Sequence, residues 1–446
     1  MPAERRRQRS VVAQRFQIGD DGSRGADGRK GSALAVESGA SMPAKAAGKR
    51  RKAVDVQGRQ GGQDDAKRRN VPRIANPLWC YYGFIGLVTV MVVFGLVMVL
   101  SSSSVDNIRS AVSPFATVLS QAQYALIGLL GAALLSHVPM PWYTKLSGVF
   151  FALALIVQTG TMIPGLSSAA GGNVGWVNLG FVRFQPAEIL KLALCVWMPL
   201  AILRGRRRYT GPLKPYMRAI IGLGVAFMLV MAGNDLGTGM IILAIGGIVL
   251  LVGGLPLRWW FGSLIGGGVA VTLLFIMGNS NRLSRFTATY GDCSGDAAQD
   301  VCYQILHGMS ALESGGLLGR GLGASREKWS YLPEAHNDFI FAVIGEELGF
   351  LGSAAVIIGF VLMAWCLVVI AVRHADPYAR MVLLALTTWI SGQALVNVMV
   401  VVRLFPVIGV PMPFVSAGGT ALICCMAGVG VAVRMASTQK DIARGR

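Results

Sequence analysis

The chain has 446 residues, of which 53% are hydrophobic and 14% are charged, and its mean hydropathy is +0.55. A soluble core cannot bury so large an apolar share, so the composition excludes a soluble globular enzyme or binding module and predicts an all-α polytopic membrane protein. The formal net charge is +19, and the positions of the basic residues carry information about topology.

Residues 1–75 differ from the rest of the chain. They contain 18 basic and 8 acidic residues with little periodic apolar pattern, which predicts a disordered cytoplasmic tail. The runs KRRK at 49–52 and KRR at 67–69 could contact anionic lipid headgroups. Nucleic-acid binding is the competing interpretation, but a basic tail before a first membrane helix usually orients that helix, so no nucleic-acid partner is predicted. The first apolar run begins late and is long enough to be an anchor, so no cleavable signal peptide is predicted.

Apolar runs of the length that crosses a bilayer as a helix, about 20 residues, recur along the rest of the chain. We predict a bundle of about ten transmembrane helices, at residues 79–100, 118–138, 144–163, 185–203, 216–233, 236–253, 259–278, 339–372, 380–402 and 415–436. The eighth run is too long for one straight crossing, so we expect it to start as a short helix at Asp338 and to bend near Gly349 or Gly352. The predicted membrane domain thus spans 76–436, with a large loop at 279–338 and a short cytoplasmic tail at 437–446.

Basic residues predict which side of the membrane each loop faces. If both termini are cytoplasmic, the inner side receives both tails and a cluster between the fourth and fifth helices, which consists of Arg204, Arg206, Arg207, Arg208, Lys214 and Arg218. This is the positive-inside pattern. The loop at 279–338 and Asp338 are therefore predicted to be extracytoplasmic.

Seven cysteines are present, and five of them lie in apolar runs, where they are most simply small core residues. The other two, Cys293 and Cys302, belong to the predicted outer loop. An oxidising compartment favours a disulfide between them, and two free thiols are the alternative. The four histidines are scattered, so no zinc site is predicted.

Charges inside the apolar segments are costly and mark candidate sites. Glu188 and Lys191 are neighbours at i and i+3 in the fourth helix, where they can pair and face the bundle interior. Asp235 lies in GNDLGTG, between the fifth and sixth helices and at the outer surface. The structural alternatives are a buried ion pair that only fixes packing and, for Asp235, an N-cap of the sixth helix.

The predicted outer loop concentrates polar groups beside a glycine-rich stretch. Its basic residues could contact an anionic group such as a pyrophosphate, whereas a solvated hairpin is the alternative interpretation. The candidates are Arg320, Lys328, Glu334, His336 and Asp338. Glu346 and Glu347 lie about two turns further along the helix, so we expect them to brace the helix packing or the bend. The Pro- and Gly-rich stretch 403–420 predicts irregular backbone that lines a cavity.

Four stretches carry a family resemblance: GWVNLGFVRFQPAEILK, NDLGTG, YQILHGMSALESGGLLGRGLGASREKWSYLPEAHNDFIFAVIGEELG and PVIGVPMPFVSAGG. In order, spacing and topology they resemble the SEDS family (shape, elongation, division and sporulation), over residues 76–436. The resemblance implies a GT-C-like membrane bundle and peptidoglycan glycosyltransferase activity, which polymerises lipid II outside the membrane. LPEAH resembles the division branch more than the elongation branch, in which Arg usually replaces the Ala.

The resemblance also implies roles for particular residues. The essential loop aspartate of the family corresponds to Asp338, which we expect to act as the general base. The other implied positions, which we expect to bind substrate, are Glu188, Lys191, Asp235, Lys328, Glu334 and His336. The sequence departs from the family pattern at several positions, so the finer substrate contacts of the family do not transfer directly. These positions are Gly175, Asn234, Asn337, Met399, Arg403 and Ala417. Arg403 is either an additional pyrophosphate contact or an outward-facing charge.

Positive charge must stabilise the departing undecaprenyl pyrophosphate. Lys191, Lys328, Arg320 or a divalent cation, Mg²⁺ or Mn²⁺, could supply it. The resemblance implies a class B penicillin-binding protein and other divisome proteins as partners, and a place in the bacterial cytoplasmic membrane at the division septum. The alternatives are a lipid II flippase, an elongation polymerase and a scaffold that recruits division proteins.

Overall fold

The computed structural model describes residues 76–445, apart from 171–172, 181, 273–284, 286–287, 292–300, 330–331 and 334. The predicted disorder of residues 1–75 and their predicted lipid contacts lie outside this part of the chain.

Each of the ten predicted membrane segments overlaps a helix, and residues 273–278 of the seventh lie outside the described residues. These helices are α1 Pro77–Arg109, α2 Ala116–His137, α3 Met140–Thr159, α4 Pro186–Arg208, α5 Met217–Ala232, α6 Leu236–Val252, α7 Leu257–Val271, α9 Ile340–Val372, α10 Pro377–Val401 and α11 Gly419–Ser437. Among the described residues, eight of them are long and apolar enough to cross a membrane, namely α1 to α5 and α9 to α11. The prediction of a polytopic helical membrane protein is confirmed.

Three further elements were not predicted. Helix α8, Val301–Gly315, lies within the predicted outer loop, and the short helix α12, Lys440–Arg444, follows α11. An antiparallel sheet of order β1-β2-β3 precedes α4 and consists of β1 Ser167–Ala170, β2 Asn173–Asn178 and β3 Arg183–Phe184. These segments are short and mixed in polarity, so apolar run length did not reveal them.

Helix α4 occupies the centre of the bundle and packs against α3, α5, α6, α10 and α11. It is buried on nearly every face from Pro186 to Ile202, which is the pattern of a helix surrounded by protein. Its side chains at i, i+4 spacing, Leu190, Leu194, Met198 and Ile202, are fully buried. The outer helices α1, α2 and α3 instead expose large apolar side chains, as lipid-facing helices do.

Helix α9 bends at Gly349, as predicted. Gly349 has φ +67° and ψ −165°, a conformation that side chains disfavour. The bend leaves backbone groups of α9 without helical partners, and residues 316–321 supply them. Arg320 N donates to Glu346 O at 3.0 Å, and Phe350 N donates to Gly316 O at 2.9 Å. The glycine-rich stretch therefore serves a close approach between two backbones.

We expect Gly349→Ala to lower the free energy of unfolding by roughly 2 kcal/mol or more, because the new Cβ would clash with the backbone nitrogen of Gly319 and the backbone angle would be strained. Thermal unfolding in detergent measures the loss. Gly148→Ala on α3 is the matched control, since a Cβ there meets nothing within 4 Å. Equal stability of the two variants would contradict the proposed role of the bend.

A buried histidine lies between α9 and α10. His374 Nε2 is 3.1 Å from Met435 O, and Asp376 N donates to Nδ1 at 3.0 Å. These partners fit a neutral imidazole with its proton on Nε2. Burial lowers the pKa of His374 below its ordinary value.

Because the folded pKa of His374 lies below the unfolded one, the folded state binds fewer protons. The stability contributed by the neutral ring is present above the ordinary histidine pKa, about 6.5, and is lost as the pH falls through the folded value. We expect the unfolding temperature to fall between pH 7 and pH 5, and the fall to be smaller in His374→Gln. An identical pH profile in both proteins would contradict this assignment.

Candidate active site

Asp338 lies in the turn that precedes α9, and the residue is partly exposed although its Oδ1 atom is buried. Three successive carbonyls of this turn accept hydrogen bonds from other parts of the chain. His336 O accepts from Ala417 N at 2.9 Å, Asn337 O from Ser416 Oγ at 2.7 Å, and Asp338 O from Asn397 Nδ2 at 2.8 Å. The backbone that carries the carboxylate is therefore held from two sides, by α10 and by the segment before α11.

The segment that connects α10 to α11, residues 402–418, contains no regular helix, as its prolines and glycines predicted. Side chains satisfy its polar backbone groups. Gln121 of α2 donates to Ser416 O at 3.1 Å and accepts from Gly418 N at 3.2 Å. Gly409 lies beside the carboxylate, because a Cβ on it would be 3.4 Å from Asp338 Oδ2. The segment thus forms one wall next to Asp338.

The predicted pair of Glu188 and Lys191 is present in α4, and both side chains are about 1% exposed. Lys191 Nζ lies 2.8 Å from Glu188 Oε1 and donates to Gln393 Oε1 at 2.7 Å. The same Gln393 donates from Nε2 to Pro411 O at 2.8 Å. The ion pair is thereby connected to the irregular segment that lies beside Asp338.

Asp235 caps α6, which was one of the two interpretations of its motif. Its Oδ1 accepts from Thr238 N at 2.9 Å, and its Oδ2 accepts from Gln185 Nε2 at 3.1 Å. The unpredicted sheet supports this turn, since Val174 N of β2 donates to Gly233 O at 2.9 Å. Asp235 is 3% exposed, so its carboxylate is held by protein groups.

Glu346 and Glu347 are fully buried and hold the segment that follows α8. Glu346 accepts from Ser325 Oγ at 2.6 Å and from Arg326 N at 2.9 Å. Glu347 accepts from Ser101 Oγ of α1 at 2.7 Å. The two carboxylates therefore brace the first part of α9 against α1 and the loop, which agrees with the structural role expected for them.

Two of the predicted substrate-binding residues belong to this network. Lys328 Nζ lies 2.9 Å from Glu347 Oε1, and the Lys328 side chain is 3% exposed. Arg320 Nη1 lies 3.7 Å from Glu346 Oε1, and its side chain keeps 33% exposure. Arg320 is thus the more accessible of these two cations.

His336 lies beside a carboxylate that the sequence did not single out. Its Nδ1 is 3.6 Å from Asp106 Oδ2 near the C-terminal end of α1, and both side chains are partly exposed. Cys302 takes part in a disulfide, whereas its predicted partner Cys293 lies outside the described residues, so the pairing stays a prediction. Glu334 also lies outside them.

Comparison with known proteins identifies the family of this chain. A family model described as Cell cycle protein, FTSW_RODA_SPOVE, matches residues 82–441. The probable peptidoglycan glycosyltransferase FtsW of Mycobacterium tuberculosis is 31% identical over 406 residues, which cover 88% of this chain and 76% of that protein. The protein of the same name from Geobacter sp. strain M18 is 30% identical and covers 80% of this chain and 96% of that protein. The chain belongs to the FtsW/RodA/SpoVE family.

A solved structure shares the fold of this family member. That structure is described as "Structural coordination of polymerization and crosslinking by a peptidoglycan synthase complex". Its TM-score is 0.65 and its identity is 22%, and the match covers 80% of the present protein and 98% of the solved chain. The resemblance inferred from the four motifs is confirmed at the level of family and fold.

Within this FtsW/RodA/SpoVE chain, Arg403 makes hydrogen bonds to the protein backbone, and its role as a pyrophosphate contact or an outward-facing charge stays a prediction. Its Nε donates to Thr289 O at 2.7 Å, and its Nη2 donates to Gly291 O at 3.3 Å. Its own backbone is left-handed, with φ +60°, which costs a non-glycine residue about 1 kcal/mol or more. Arg403 therefore fastens residues 289–291 to the end of α10.

Several residues around the site were missed by sequence reasoning. Gln393 and Asn397 lie one turn apart in apolar α10, and Gln121 and Ser101 lie in apolar α2 and α1. Polar amides four residues apart within a membrane helix are the signal that could have revealed Gln393 and Asn397, because buried amides need partners. Single residues such as Ser101 gave no such signal.

Proposed function

We propose that this FtsW/RodA/SpoVE protein is a peptidoglycan glycosyltransferase that polymerises lipid II on the outer face of the membrane during cell division. The observation that carries the proposal is the partly exposed residue Asp338 on a backbone held by Asn397, Ser416 and Ala417. A fixed carboxylate within reach of an acceptor hydroxyl is suited to general-base catalysis. The name of the relatives, probable peptidoglycan glycosyltransferase FtsW, supports the same activity.

The proposed reaction is a single displacement. The 4-hydroxyl of a terminal GlcNAc attacks the anomeric carbon of the donor MurNAc, and its proton passes to the Asp338 carboxylate. The bond from that carbon to undecaprenyl pyrophosphate breaks, and the lipid carrier leaves with the bonding electrons. An α-linked donor gives a β-linked product, so one inversion with one base suffices and no covalent enzyme intermediate is required.

The departing pyrophosphate needs nearby positive charge. Lys191, Lys328 and Arg320 are each paired with a buried glutamate, but the Arg320 contact is the longest, at 3.7 Å, and Arg320 keeps a third of its side chain exposed. Arg320 is therefore the favoured contact among the three predicted cations. Glu188, Asp235, Glu334 and His336 stay predicted substrate-binding residues.

The described part of the chain contains no group of three or more His, Cys, Asp or Glu side chains that could hold a metal ion. A Mg²⁺ ion bound by one or two carboxylates and by the substrate pyrophosphate would need no such group. The divalent cation therefore stays a prediction, and no step of the reaction is routed through it.

The proposed partner is a class B penicillin-binding protein, a transpeptidase that crosslinks the new strands, together with other divisome proteins. The shared fold with a chain of a peptidoglycan synthase complex supports this proposal. The proposed location is the cytoplasmic membrane at the septum, with both termini cytoplasmic. The basic clusters in the N-terminal tail and between α4 and α5 support that orientation.

The test is reconstitution of the full-length protein in vesicles with labelled lipid II, with and without the transpeptidase. Separation of the products on a gel detects glycan strands, and a leaflet-specific label on lipid II detects its transfer across the bilayer. Glycan strands support the polymerase. Transfer of lipid II without strand formation would overturn the proposal in favour of a flippase. Absence of both activities under every condition would overturn it in favour of a scaffold.

A further inference from the structure

Helix α10 carries a polar ladder, which consists of Trp389, Gln393 and Asn397 at successive i, i+4 positions. Gln393 and Asn397 are 0% and 1% exposed, so their amide groups are buried within the protein. Trp389 Nε1 donates to Gln393 Oε1 at 3.1 Å, which fixes the orientation of the Gln393 amide. The ladder faces α4 at one end and the start of α9 at the other.

Asn397 joins two segments that carry the site. Its Nδ2 donates to Asp338 O and to Val410 O, each at 2.8 Å. Gln393, one turn earlier in α10, donates from Nε2 to the adjacent carbonyl, Pro411 O, at 2.8 Å. Irregular backbone at membrane depth requires such partners, because water is not available to it. The two amides therefore set the distance between the 410–411 backbone and the turn of Asp338.

Gln393 of the ladder also contacts the ion pair of α4. Lys191 Nζ donates to Gln393 Oε1 at 2.7 Å and also lies 2.8 Å from Glu188. A continuous series of contacts thus runs from Glu188 through Lys191, Gln393 and the 410–411 backbone to Asn397 and Asp338. Each contact in the series is 2.7–2.8 Å long.

We propose that Asn397 is a positioning residue for Asp338 and that Gln393 connects this position to the buried pair of Glu188 and Lys191. The inference rests on the proposed function, in which Asp338 is the base. Asn397 contacts the backbone of the base and has no role in the proton transfer itself. Loss of its donor leaves the carboxylate present but displaced, and displacement by about 1 Å can lower a catalytic rate about 100-fold.

The test compares Asn397→Leu with Thr387→Val, in the full-length protein with its partner transpeptidase. Thr387 is a matched control because it is also a buried polar residue of α10, yet it donates only to Leu383 O of its own helix. We expect Asn397→Leu to lower kcat at least tenfold with KM and lipid II binding nearly unchanged, and Thr387→Val to keep the wild-type kcat. Gln393→Leu should lower kcat less, and the double variant should be less than additive because both residues hold one segment.

A second measurement does not depend on activity. The Ala417 amide donates to His336 O, so its hydrogen exchange reports whether the turn of Asp338 keeps its place. We expect faster exchange in Asn397→Leu and unchanged exchange in Thr387→Val. A variant Asn397→Leu with wild-type kcat, with a raised KM alone, or with unchanged exchange at Ala417 would overturn the inference. If the wild-type protein made no strands, the proposed function would fail, and the exchange result would still decide whether Asn397 positions this turn.

Discussion

Asp338→Asn is expected to lower the rate of glycan polymerisation by about 10²–10⁴-fold, the usual contribution of a general base. The asparagine side chain has nearly the same shape but cannot accept the proton of the sugar hydroxyl. The fold should persist, because Asn397, Ser416 and Ala417 hold backbone carbonyls at 336–338, which the substitution leaves in place. Strand formation from labelled lipid II and the unfolding temperature measure the two effects separately.

Two variants make this result interpretable. Asp338→Glu keeps a carboxylate but moves it by one methylene group, so a partial loss of rate is expected. Glu313→Gln removes an exposed carboxylate of α8 and should leave the rate unchanged. Polymerisation by Asp338→Asn at the wild-type rate would exclude Asp338 as the base, and the proposed mechanism with it.

The membrane helices could be predicted from the sequence because each is a local property. A run of about 20 apolar residues is by itself long enough to cross a bilayer as a helix, so the ten segments were placed to within a few residues of most helix ends. The bend of α9 was also predictable, since the run was too long and contained glycines. Helix α8 and the three-stranded sheet were not, because their short mixed segments carry no comparable signal.

In the candidate site too, local contacts were predictable from the sequence and long-range contacts were not. The pair of Glu188 and Lys191 and the cap of Asp235 are contacts between residues three positions apart, so their spacing predicted them. The contact of Asn397 with Asp338 joins residues 59 positions apart, and that of Ser101 with Glu347 joins residues 246 apart. Such long-range pairs depend on how the helices pack, which the spacing within one segment does not specify.

The glycine-rich loop is an instructive difference. Its sequence left open a contact with an anionic group such as a pyrophosphate and a solvated hairpin. In the structure the amides of Arg320 and Gly321 donate to Glu346 O and Glu347 O, so these two groups are occupied by α9. The glycine-rich stretch therefore makes backbone contacts within the protein, and a pyrophosphate contact by its basic side chains stays a prediction.

Lys191→Met is the substitution expected to have the largest effect on stability. Removal of one partner from a buried ion pair costs about 3–5 kcal/mol, because the remaining charge loses its compensation. Lys191 and Glu188 are each about 1% exposed, so solvent screening does not reduce this cost. Glu188 Oε2 already has no hydrogen-bond partner among the described residues, and the substitution would leave Oε1 without its lysine as well.

The double variant Glu188→Gln with Lys191→Met should regain much of the lost stability, since it leaves no uncompensated charge. Lys145→Met, at an exposed position of α3, should change the free energy of unfolding by less than about 0.5 kcal/mol. Thermal unfolding of the four proteins in one detergent gives the comparison. If Lys191→Met unfolded like the wild type but no longer bound lipid II, the lysine would act on the substrate, as the family resemblance implies. A loss of stability that the double variant restores would instead show that the Glu188–Lys191 pair has a structural role, as the buried contact of Gln393 in the α10 ladder.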